Sequence, residues 1–171
     1  MIRISSLLYF LGFLQSQNYP DFEVMHFESP HSSSLFLHTM SEENRFMAII
    51  DSGLDVQWHV RSNHMGLDFK VNQNYLTYYN KIEGSWILAN QMMNEVDTLM
   101  CEGPYVADYH DIQILENGNY LLQAYDSSFV DMSIIIDGGQ SVAWITGILV
   151  IQMFDINHES VSYTHLTLPT K

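Results

Sequence analysis

His110 and Asp111 stand together in the stretch ADYHDIQILENGNYLLQAYDS, Ala107 to Ser127. An imidazole is nucleophilic while neutral and titrates near pH 7, so an exposed histidine is a candidate for chemistry. His110 has a second reading, as a strand-end residue satisfied by a hydrogen bond to Asp111 or Tyr109. Asp111 reads as structural, its carboxylate bonding local backbone at a strand entry. The other histidines offer less. His59 alternates with Trp58 and reads as a half-exposed face residue, and His64 in RSNHMG reads as a loop histidine. His26, His31, His38 and His158 lack a His-x-x-x-His spacing, and Cys101 is the single cysteine. No zinc site, other metal site or internal disulfide is therefore expected. Asp126, Asp131 and Asp137 fit no EF-hand loop and read as turn residues. The sequence carries no Gly-rich phosphate loop and no Gly-x-Ser-x-Gly elbow, and no cofactor is expected.

The elements that must position these residues read as strands. Around His110, Ile112, Ile114 and Leu115 lead into Glu116-Asn117-Gly118-Asn119, and Tyr120, Leu121 and Leu122 lead out. Asn-Gly supplies the positive φ angles that a tight hairpin demands. LFLHT, RFMAIID, DVQWHV, DFKVNQ, YLTYYN, SWILANQ, NYLLQAYDS, SVAWI and LVIQMFD are further short apolar or alternating runs between turn residues. NQMMNEVDTLM is the best helical candidate, yet it reads equally as a strand pair with a polar turn. The expected fold class is all-β.

Two of the hairpins are copies. DFKVNQNYLTYYN aligns with DIQILENGNYLLQAYD once Asn117-Gly118 is treated as an insertion. Asp68 then matches Asp111, and Asn74-Tyr75-Leu76 matches Asn119-Tyr120-Leu121. A repeat of about 40–50 residues built from short strands is the period of a β-propeller blade. RFMAIIDSGLDVQWHV would supply inner strands of an earlier blade, and LVIQMFDINHESV would open a later one. The chain is expected to hold roughly three blades of antiparallel strands, an incomplete β-propeller over residues 20–160. A β-sandwich is the competing architecture.

With 6 Lys+Arg against 20 Asp+Glu, the 171-residue chain carries a formal charge of −14. Such a field repels phosphate backbones, so nucleic acid is not an expected partner. MIRISSLLYFLGFLQSQ, residues 1–17, has one early positive charge and a short apolar run, the pattern of a secretory signal peptide. The run is too short to span a bilayer, and no stable membrane insertion is expected. The localisation implied is secreted or periplasmic. VSYTHLTLPTK, residues 161–171, resembles a translated sequencing adapter, and the natural chain is expected to continue past Ser160.

SPHSSSLFLHT, MAIIDSGLDVQWHV, DFKVNQNYLTYY and ADYHDIQILENGNYLLQAYDS follow one another in a series that resembles bacterial arylsulfotransferases. The likeness covers about Pro20 to Val161, and His110-Asp111 with the hairpin behind it is its most specific element. It implies an exported propeller that moves a sulfuryl group from an aryl sulfate to a phenol through a sulfohistidine intermediate, with no metal or nucleotide donor. His110 matches one of that family's channel-lining histidines. The family's nucleophilic histidine has no counterpart here, and neither Arg45 nor Arg61 matches its sulfonate-binding arginine. The chain alone is expected to be inactive. The other function class in view is a secreted, non-catalytic propeller that binds carbohydrate or protein.

Overall fold

The computed structural model describes residues 19–25, 32–39 and 45–165 of the chain. They form eleven strands in three sheets: β1 (Leu35–His38), β2 (Phe46–Ile50) and β3 (Val56–Arg61); β4 (Met65–Asn72), β5 (Tyr75–Asn80), β6 (Ser85–Ala89) and β7 (Glu95–Leu99); and β8 (Ile112–Ile114), β9 (Tyr120–Val130), β10 (Ala143–Phe154) and β11 (Ser160–His165). Each sheet is an antiparallel meander in which sequence neighbours pair. The only helical element described is a single 3-10 turn, Met132–Ile134. All-β is the outcome, in three successive blade-like sheets that close no barrel.

The centre of the middle sheet is covered on both faces, which explains why β5 and β6 read as runs without alternating burial. Every residue of β6, Ser-Trp-Ile-Leu-Ala, is buried. Toward the first sheet, Phe69, Leu76, Tyr78, Ile87 and Ala89 pack with Met47. Toward the third, Tyr79, Trp86, Leu88 and Leu99 pack with Ile112, Ile114, Tyr120, Leu122 and Phe154. The first half of β9 keeps the period-two alternation of a strand covered on one face.

The copied hairpins become β4–β5 and β8–β9, the first two strands of their sheets. Three details differ from the sequence reading. RFMAIIDSGLDVQWHV does not supply inner strands: β2 is the centre of the first sheet and β3 its edge. LVIQMFD opens no new blade, because β10 pairs with β9 along its whole length and turns at Asp155 into β11. Asp68 does not open its strand; it lies inside β4 at a bulge, with φ of 50°. Residues 161–165 of the C-terminal segment belong to the edge strand β11, and residues 161–164 are exposed. The N-terminal segment 1–17 and residues 166–171 lie outside the described residues.

Strand direction fixes which turns share an end. The β1–β2, β3–β4, β5–β6 and β7–β8 connections all emerge at one end of the sheets, and β4 and β8 both start there.

Candidate functional site

The β7–β8 connection carries His110 at that end, and the core holds it in place. Trp86 Nε1 donates to Asp108 O at 3.0 Å, and Tyr79 OH donates to Ala107 O at 2.6 Å. Asp108 N in turn donates to Gln123 O of β9 at 2.7 Å. Ala107 is buried among these groups. A loop anchored through two core aromatics presents its next residues in a fixed pose.

Asp108 then organises His110. Its Oδ2 accepts from His110 N at 2.9 Å, the side-chain-to-backbone turn typical of Asp two residues ahead. The same oxygen lies 2.5 Å from His110 Nδ1, with the carboxylate 10% exposed and the imidazole 59% exposed. Because an ionised carboxylate only accepts, the shared proton sits on Nδ1 and Nε2 is left free of this pairing. The Tyr109 ring stacks on the imidazole at 4.2 Å. A carboxylate that orients an exposed imidazole can support proton transfer or nucleophilic attack at Nε2.

The carboxylate is therefore Asp108, not Asp111. Asp111 does bond local backbone, accepting from Ile112 N at 2.9 Å, but it also reaches across to the neighbouring sheet. Lys70 Nζ donates to Asp111 Oδ1 at 2.5 Å and lies 2.6 Å from Asp68 Oδ2. Burial alone would raise the Asp111 carboxyl, but the Lys70 hydrogen bond and charge outweigh it and hold it below the usual carboxylate range. Burial would lower the Lys70 ammonium, and Asp111 and Asp68 outweigh that and hold it above the ordinary lysine range. The triad joins β4 to the residue that enters β8. Its role is to align adjacent sheets beneath the loop of His110.

The remaining candidates disperse. His59 is half-buried between the Tyr19 and Phe46 rings, and His158 Nε2 lies 3.0 Å from Asp97 Oδ2 across the second and third sheets. His38 and His64 sit at the same end as His110, beside Ser62 and Arg45 respectively. Asp131 caps the 3-10 turn through Ser133 N, as a turn residue does. Burial pushes the Cys101 thiol up to about 12, which keeps it protonated and unreactive at neutral pH. Among the described residues, no three His, Cys, Asp or Glu side chains gather in a metal-binding group. His26 and His31 lie outside the described residues.

Asp108 is the neighbour of His110 that the sequence reading missed. Its signal was present as Asp-x-His, the offset at which an Asp side chain bonds backbone two residues on. Comparison of the chain with protein-family models, with curated proteins and with solved structures finds no match.

Proposed function

We propose that the chain contributes part of the active site of an exported aryl-sulfate sulfotransferase, with His110 as its proton-transfer histidine. The observation that supports this reading is the Asp108–His110 pair: a largely buried carboxylate holding Nδ1 of an exposed imidazole at 2.5 Å. In the acceptor half-reaction, a phenol oxygen attacks the sulfur of a sulfohistidine elsewhere in the protein. The new O–S bond forms, the N–S bond breaks, and the phenolic proton passes to His110 Nε2. Donor transfer runs the same proton in reverse, from protonated His110 to the departing phenolate. Asp108 fixes the tautomer and balances the imidazolium that forms.

The experiment is sulfuryl transfer from 4-nitrophenyl sulfate to phenol by the complete reading frame and its His110→Ala variant. A loss of about 10²–10⁴-fold in kcat is expected. Equal rates would assign His110 to structure. Absence of turnover in both, with retained binding of a glycan or protein ligand, would replace the enzyme by a binding propeller.

A further inference from the structure

A second cluster lies at the seam between the first two sheets, on the same end as His110. It comes from three connections. His38 ends β1 and Arg45 precedes β2, His64 lies between β3 and β4, and Lys81 follows β5. Together with Leu67 they line one cavity of about 70 Å³. Backbone bonds pin the walls to each other: Ser62 N donates to Arg45 O at 2.9 Å, and Lys81 N donates to His64 O at 3.0 Å. Gly66, with φ of 99°, lets the His38 ring lie against the chain, since a Cβ there would fall 2.9 Å from His38 Cδ2 and 2.4 Å from Met47 Cγ. A side chain at Gly66 would displace Met47 and the His38 ring.

Its charge runs against the rest of the molecule. The whole sequence has 6 Lys+Arg against 20 Asp+Glu, yet two of those cations face this one cavity. Among the described residues neither Arg45 nor Lys81 forms an ion pair with a carboxylate. The other described basic side chain of the middle sheet, Lys70, is held by two. Arg45 Nη1 donates to His64 Nδ1 at 2.7 Å, so His64 is neutral and carries its proton on Nε2. His38 Nε2 lies 3.3 Å from Ser62 Oγ. Burial and then the Arg45 charge hold the His38 imidazole below its ordinary range, so it stands as an uncharged wall. The cavity thus offers N–H groups of a guanidinium, an ammonium and one imidazole, with no acidic side chain among the described residues that line it. Screening over about 8 Å at physiological salt limits the repulsion from carboxylates farther away, and the nearby Glu83 does not line the cavity.

We propose that this cavity is a binding site for a doubly charged tetrahedral oxyanion of the phosphate or sulfate class, as the free ion or as a phosphate-ester headgroup. Two cations match two negative charges, and the donors come from three separate connections, which suits an oxyanion that accepts on several sides. A planar, singly charged carboxylate leaves one cation uncompensated. An aryl sulfate ester also carries a single charge, so this site is distinct from the donor site proposed above and does not rest on that reading.

The test is titration of the 171-residue chain with inorganic phosphate at pH 7.5 and constant ionic strength, followed by the imidazole NMR signals. Saturable shifts at His38 and His64, with His158 unmoved, are expected. Lys81→Gln should weaken binding about tenfold, the size of one lost charge-assisted hydrogen bond, and Lys81→Arg should restore most of it. Lys81 is exposed in a turn, and an unchanged melting temperature without phosphate will show that the variant folds. Acetate should bind far more weakly than phosphate. Methyl phosphate binding as tightly as phosphate extends the site to ester headgroups, and weaker binding restricts it to the free ion. Shifts that never saturate, equal affinity in Lys81→Gln, or acetate binding as tightly as phosphate would each overturn the proposal.

Discussion

Asn72 reaches from the end of β4 to Ile112 at the start of β8, its Nδ2 donating to Ile112 O at 2.8 Å. Its Oδ1 accepts from Ile114 N at 3.4 Å, so one amide side chain offers β8 the donor and acceptor that a neighbouring strand would. Gln73 Nε2 adds a bond to Ile114 O at 3.3 Å. The first strands of adjacent sheets are thereby stitched together without being members of one sheet. Asn72→Ala should cost about 1–3 kcal/mol, because it leaves β8 backbone groups unpaired. Urea denaturation will measure the loss, and an unchanged midpoint would show that water replaces the amide.

The Lys70–Asp111 pair predicts a plateau in stability with pH. Asp111 is held below its ordinary value, so its contribution is complete above about pH 5 and fades as pH falls through the folded value. Lys70 is held above its ordinary value, so its contribution is complete below about pH 9 and is lost as pH rises through the folded value. Both side chains are substantially exposed, and screening limits the pair to about 0.2–1 kcal/mol. Asp111→Asn should remove the acid-side loss attributable to this pair, read from urea midpoints at acid and neutral pH.

Trp86 joins the core to the loop of His110, and the two roles separate by substitution. Trp86→Phe keeps an aromatic in the core but deletes the bond to Asp108 O. A loss of about 1–3 kcal/mol is expected, for the abandoned carbonyl and the smaller ring. Amide exchange at Tyr109 and His110 should accelerate more than in β5. Uniform acceleration across the sheets would mean that the tryptophan serves packing alone.

Asp108→Asn tests how the imidazole is held. An amide can donate as well as accept, so Nδ1 loses its obligatory acceptor and the tautomer preference of His110 should relax. Nitrogen NMR of the histidine ring will report this as movement away from the form protonated at Nδ1. Global stability should fall by about 1 kcal/mol, the size of one weakened hydrogen bond, because an Asn side chain keeps an acceptor for His110 N. A tautomer ratio identical to that of the parent would show that Asp108 does not set it.

On the proposed sulfotransferase function, the same Asp108→Asn change in the complete reading frame should lower sulfuryl transfer by about 10²-fold or more while leaving the substrate KM nearly unchanged. Steady-state kinetics with 4-nitrophenyl sulfate will separate the two constants. A raised KM with constant kcat would place Asp108 in binding instead of proton transfer.

What the sequence determined by itself was local. Asn117-Gly118 and the alternation of Ile112, Ile114, Tyr120 and Leu122 specify a hairpin because turn geometry and period-two burial depend only on near neighbours. The ambiguous NQMMNEVDTLM resolved the same way: Asn90 Oδ1 accepts from Met92 N and Asn94 N, a local turn that competes with helix, and β7 follows. Tertiary structure alone decided the rest. It made β2 and β3 centre and edge strands, because the order of strands in a sheet depends on pairing between distant segments. It brought Asp111 of the neighbouring sheet onto Lys70, a contact that no local offset along the chain encodes. Position also made the cationic cavity: His38, Arg45, His64 and Lys81 share no motif, and they meet because antiparallel strands of similar length return their turns to one end. Asp108 stands between the two cases. Its bond to His110 is a two-residue contact written in the sequence, but the anchors that aim the pair, Tyr79 and Trp86, lie on another sheet, where packing and not chain proximity brings them.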